Sequence, residues 1–210
     1  INLLYIVISV QSSMGKVLIA YNDDASENSR QFFDGCATDI RNYCIGKSFD
    51  YDLLTPPNLT EAQFMDKAQD SHICYVASHG RPDSVVNEEG EEFVSTRTTN
   101  YNLNGKCFFA VSCYCAQDLK DELFRIGLKL FVGYRDKYTE FPGYDEFMQS
   151  ANCGLKVFID GQNVAKMKDS IDAEYDRLFD VLNGKSVLAA DALLDNKESL
   201  VIEGDDSLTI

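Results

Sequence analysis

The chain has 210 residues and a formal charge of −15, with 45% hydrophobic and 25% charged residues. That is the length of one domain able to bury a core without disulfide or metal staples. The acidic balance, with no basic stripe anywhere, excludes a binder of the nucleic-acid backbone and reads as a solvated surface.

The seven cysteines are odd in number and lack C-x-x-C pairing, and Cys36, Cys74 and Cys107 sit inside apolar runs. This is the usage of a reducing compartment, so a cytoplasmic location is expected. With only two histidines and no paired cysteine spacing, neither a metal site nor a cofactor is expected.

Residues 1–10 are apolar but lack a cationic flank, are too short to span a bilayer and precede no small-residue cleavage site. Residues 1–13 are therefore read as an apolar extension, lying ahead of the natural start near Met14 or forming an extra strand, and not as a membrane span. The domain proper takes residues 14–210.

Residues 17–21 form a buried strand that ends in Asn22-Asp23-Asp24. Ser26 then caps a helix carrying Phe32, Phe33, Cys36, Ala37, Ile40, Tyr43 and Cys44 at helical spacing, stopped by Gly46. Residues 48–54 alternate as a second strand, broken by Pro56-Pro57. Thr60-Glu61-Ala62-Gln63 is a capping box that opens a short helix toward Gln69. Residues 72–80 give a third strand, ending in His79-Gly80.

Residues 81–104 are polar and acidic around Gly90, with no sustained period, and are predicted as a disordered surface insertion; a processing or gating segment is the alternative. The apolar run 107–115 follows, a strand delivering Cys113. Asp118 caps a helix with Leu119, Leu123, Phe124 and Ile126, closed by Gly127. Strands are predicted at 129–134 and 155–159, and helices at 163–182 and 187–194. A terminal hairpin pairs 200–202 with 208–210. Near-continuous apolar strands alternating with helices predict an α/β domain, a mostly parallel sheet covered on both faces.

In such a sheet the reactive groups lie past the carboxyl ends of the strands, where His79 and Cys113 both fall. If their strands are neighbours, backbones about 4.8 Å apart let the thiol and the imidazole converge. The imidazole then activates the thiol and protonates the leaving amine. Gly80 permits close backbone approach, so the N–H groups of Gly80 and Cys113 are the candidate oxyanion donors. His72 stands at the wrong end of its strand, and Cys115 remains open as the alternative nucleophile. For substrate binding, Asp23, Asp24 and Asp118 suit a basic side chain and Arg135 an acidic one; the duller reading makes all four solvated loop charges.

A hydrophobic strand ending in His-Gly, followed by one ending in Cys, resembles the caspase, separase, gingipain and legumain superfamily of cysteine peptidases. The run Ala110-Val111-Ser112-Cys113, then residues 119–123, Ile126-Gly127 and Phe131-Val132-Gly133-Tyr134, is most similar to its bacterial CHAT branch. The pattern of elements covers about 17–134, and the motif only 77–80 and 110–113. Membership implies a three-layer α/β/α domain and a Cys–His dyad with no obligatory third residue. It also implies a protein or peptide substrate, a bacterial signalling or defence setting, and room for a regulatory protein partner. The Q-A-C-[RQG]-G signature of caspases is absent, and His79 and Cys113 stand closer in sequence than in caspases. The alternatives are a catalytically silent relative acting as a binding module and an acyl-transfer enzyme using the same dyad. A receiver-like or flavodoxin-like module is disfavoured, because the chain lacks a Gly-rich phosphate loop after its first strand.

Overall fold

The computed structural model describes residues 15–25, 29–97 and 101–210. In chain order the elements are β1 (Lys16–Tyr21), α1 (Arg30–Lys47), β2 (Asp50–Leu54), α2 (Glu61–Gln69), β3 (Ile73–Ala77), β4 (His79–Arg81), β5 (Ser84–Val86) and β6 (Glu92–Ser95). A 3-10 turn, Tyr101–Leu103, leads into β7 (Cys107–Val111). Then follow α3 (Asp118–Arg125), β8 (Leu130–Tyr134), α4 (Glu146–Ile159), α5 (Val164–Asn183), α6 (Val187–Ser199) and β9 (Leu200–Gly204).

The main sheet has six strands in the order β2-β1-β3-β7-β8-β9. The first five run parallel, and β9 closes the far edge antiparallel to β8. Alternate residues of each strand feed opposite faces, as the pleat requires. Val17, Ile19, Cys107, Phe109 and Val111 join one core with α1, α4, α5 and α6. Leu18, Ala20, Phe108 and Ala110 join a second core with α2, α3 and the small sheet. The molecule is therefore a three-layer α/β/α domain. None of its described helices is long and apolar enough to cross a membrane.

The predicted Thr60 cap is present, accepting from the Gln63 N–H at 3.4 Å, and Asn163, at the start of the helix predicted over 163–182, caps it by accepting from the Lys166 N–H at 2.9 Å. Others differ. Gly46 does not stop α1; the helix runs on to Lys47, and Ser48 takes the left-handed turn at φ 55°. Asp118 is the first residue of α3 rather than its cap, so its carboxylate sits near the helix's positive end. Ser26 and residues 1–13 lie outside the described residues.

Three larger elements depart from expectation. Residues 155–159 are the last turns of α4, because Phe147, Leu155, Phe158 and Ile159 continue one buried helical stripe; five apolar residues alone do not distinguish strand from helix. Much of 81–104 is no disordered insertion: β4, β5 and β6 form a three-stranded antiparallel sheet that sinks Val85, Phe93 and Val94 into the second core. At the C-terminus there is no hairpin; β9 pairs with β8, Ile202 opposite Val132, while residues 208–210 form no strand.

Candidate active site

β3 and β7 are adjacent and parallel, with Ala77 opposite Val111, so the chain leaves both strands at the same level. The Ser78 N–H donates to the Val111 carbonyl at 3.3 Å, extending the ladder one residue past the strands. His79 does not prolong β3; it opens β4, which pairs His79 with Val86. The Ser78 hydroxyl fixes that corner by donating to the Val86 carbonyl at 2.6 Å. The next residue has to be glycine. A Cβ on Gly80 would stand 2.1 Å from the Cys113 carbonyl oxygen and 2.3 Å from the Ser112 hydroxyl oxygen. The two exits are thus pressed backbone to backbone, as close approach at Gly80 requires.

On the other exit, Tyr114 adopts φ 61°, in the left-handed region that side-chain-bearing residues seldom occupy. Its N–H donates to the Asp136 carbonyl at 3.1 Å and the Ala116 N–H to the Tyr134 carbonyl at 3.0 Å, which ties the turn to the end of β8. Cys113 sits at the start of this turn, half-buried, with Sγ 3.8 Å from the Tyr138 carbonyl oxygen.

Cys113 and His79 line one cavity of about 120 Å³, together with Phe33, Lys137, Tyr138 and Glu140. The Phe33 ring of α1 stands edge-on to the imidazole, centroids 5.3 Å apart and planes at 85°. The far wall is a loop pinned at two points. Asn196, fully buried, accepts from the Thr139 N–H at 2.8 Å and donates to its carbonyl at 2.7 Å. The Tyr138 hydroxyl donates to the Phe147 carbonyl of α4 at 2.7 Å. Among the described residues, two buried groups at this sheet edge lack hydrogen-bond partners, the Ser112 hydroxyl and the Asn22 side-chain nitrogen. Each such orphan costs about 1–3 kcal/mol, a strain found where function overrides stability.

Burial raises the Cys113 thiol above its ordinary value, opposed by the backbone of Tyr138 and the charge of Lys137. At neutral pH the thiol therefore rests protonated, and a nucleophile has to be made by removing its proton. The expected consequence is that alkylation of Cys113 by iodoacetamide, followed by mass spectrometry, accelerates steadily from pH 7 to pH 9. Lys137→Met takes away the cation that lowers the thiol pKa, and slows labelling at pH 8 by about 2- to 5-fold. Unchanged labelling in that variant would show that the lysine charge does not reach the sulfur.

Cys115 is fully buried, its thiol is pushed up to about 12 by burial, and its Sγ lies 3.2 Å from the Ser112 carbonyl oxygen. Of the two cysteines, Cys113 is the one that reaches the cavity. Asp23 and Asp24 follow β1, half-buried and outside the cavity; burial raises the Asp23 carboxyl, partly offset by Arg30. Asp118 is exposed and also outside it. Arg135 lines a neighbouring cavity of about 510 Å³, which shares Lys137 with the cavity of His79 and Cys113.

Sequence reasoning did not single out Phe33 or Glu140 as site residues. Phe33 was legible only as a residue of the apolar stripe of α1, and it packs on the same core as Phe32. Glu140 carried no signal beyond its place in a loop. Among the described residues no group of three His, Cys, Asp or Glu is placed to hold a metal ion. No family model matches the chain, and no curated protein matches it in sequence.

Proposed function

We propose that the protein is a cysteine endopeptidase of the caspase-like superfamily, acting through Cys113 and His79. One observation carries the reading: both side chains line a single cavity at the carboxyl edge of adjacent parallel strands. His79 takes the Sγ proton as sulfur adds to the substrate carbonyl carbon, and the Gly80 and Cys113 N–H groups hold the resulting oxyanion. When the tetrahedral intermediate collapses, the imidazolium gives its proton to the leaving amine and a thioester remains. Water, deprotonated by the same imidazole, then attacks the thioester carbonyl and releases the carboxyl product and the thiol. All seven cysteines are free, which fits a reducing cytoplasm.

A second reading, a silent relative serving as a binding module, is favoured by the raised pKa of the half-buried thiol. The two separate in one experiment. The enzyme is incubated with a peptide bearing a C-terminal acyloxymethyl ketone and the adduct is mapped by mass spectrometry. Labelling on Cys113, suppressed by prior alkylation, is the result expected of a peptidase. An unlabelled Cys113 with intact fold supports the silent module.

A further inference from the structure

A third cavity, of about 310 Å³, adjoins the one lined by His79 and Cys113; Phe32 and Glu140 line both. The rest of its wall includes Phe141, Tyr144, Asp145 and Met148. We infer that this cavity takes the side chain of the residue whose carbonyl Cys113 attacks, and that Glu140 selects a lysine or arginine there. The inference rests on the peptidase reading and adds its substrate class.

One wall of this cavity carries a carboxylate, Glu140, with no counter-charge among the described residues. Several partly buried acids of the fold are paired, Asp39 with Lys156, Asp160 with Lys47 and Glu146 with Lys185, whereas Glu88 keeps an unpartnered buried oxygen but lines none of these cavities. Glu140 is half-buried, yet no hydrogen bond or ion pair reaches its carboxylate among the described residues. Burial alone lifts its carboxyl above the ordinary range, with no cation pulling it back. Removing an ionised group from water without compensation is costly, and an incoming ammonium or guanidinium supplies that compensation.

The rest of the cavity fits the same guest. Phe32 is held in place by stacking on Tyr138, centroids 5.4 Å apart, and Phe141 by stacking on Phe147 at 5.9 Å. Aromatic walls favour the methylene stem of lysine or arginine and attract its charged head. The volume lies at the lower end of small-molecule sites, enough for one long side chain. Lys137 lines the dyad's cavity but not this one, and forms no ion pair with Glu140. An acidic guest would face Glu140 and Asp145 across partly dehydrated space, and a neutral one would leave Glu140 as it is.

The test uses the full chain and fluorogenic peptides that differ only in the residue bonded to the reporter amine: Lys, Arg, Gln, Leu or Asp. Lys and Arg peptides are expected to exceed the Gln peptide in kcat/KM by about 10- to 100-fold, the range of a charge-assisted pair. Glu140→Gln should erase that preference by lowering kcat/KM for the Lys and Arg peptides. Thermal melting and iodoacetamide labelling of Cys113 in the same variant report whether fold and nucleophile survive. A basic preference intact in Glu140→Gln, or a wild type that favours Gln, Leu or Asp, overturns the inference and leaves the peptidase reading standing. If the wild type cleaves none of the peptides and Cys113 resists the acyloxymethyl ketone, the peptidase reading falls and the inference with it.

Discussion

Cys113→Ala is expected to abolish peptide cleavage, by more than about 10³-fold in kcat/KM, while leaving the melting temperature nearly unchanged. The two readouts diverge because the thiol lines a cavity instead of filling a core, and its hydrogen bond to the Tyr138 carbonyl is long, at 3.8 Å. Alanine keeps the backbone of the turn and removes only the attacking atom. His79→Ala should fall by about 10²–10⁴-fold, the usual contribution of a positioned base. The two losses differ in their response to pH. The Cys113 thiol is held above its ordinary value by burial, so the thiolate fraction still grows as pH rises toward that value. His79→Ala therefore regains rate between pH 7 and pH 9, whereas Cys113→Ala does not. A peptide library incubated with each variant and read by mass spectrometry checks both. Cleavage surviving in Cys113→Ala would assign the chemistry elsewhere, and equal pH profiles for wild type and His79→Ala would remove the imidazole from the proton path.

The parts legible from sequence were those in which one physical requirement dominates. β1, β3, β7 and β8 are almost wholly buried, and a strand covered on both faces has to be a continuous apolar run. Once such strands alternate with helices, the parallel order brings their carboxyl ends to one edge, so His79 and Cys113 are expected there together, and both line one cavity at that edge. Legibility failed where burial was local. In the small sheet only Val85, Val86, Phe93 and Val94 supply apolar mass, set among Asp83, Glu88, Glu89, Glu91 and Glu92, and the acidic average hid three short strands. The segment 155–159 failed for the opposite reason, being apolar enough for either period. Charge in loops was least legible. Asp23, Asp24 and Asp118 follow strands in sequence, but Glu140 reaches the cavity because Asn196, far along the chain, grips Thr139.

Gly80→Ala is expected to damage stability and catalysis together, in contrast to Cys113→Ala. The added methyl carbon would lie 2.1 Å from the Cys113 carbonyl oxygen, 2.3 Å from the Ser112 hydroxyl oxygen and 3.1 Å from the Cys113 carbonyl carbon. Two of these three atoms are backbone, in a turn already fixed by the left-handed Tyr114 and its bond to Asp136. No rotamer change relieves them, so one exit must move away from the other. Overpacking of this kind costs about 1–3 kcal/mol or more, which lowers the melting temperature of a domain this size by about 3–10 °C. The same displacement shifts His79, the preceding residue, relative to the thiol, and a misplacement near 1 Å costs about 100-fold in rate. The companion variant Ser112→Ala removes an unpartnered buried hydroxyl and is expected to stabilise slightly. In the double variant it relieves only the hydroxyl contact; the Cys113 carbonyl still collides, so stability recovers in part and catalysis stays low. Full recovery would mean that the serine oxygen, not the backbone, sets the spacing between the exits. A Gly80→Ala protein that melts and cleaves like the wild type would mean that the two exits do not touch, and the placing of His79 and Cys113 on one cavity would lose its structural basis.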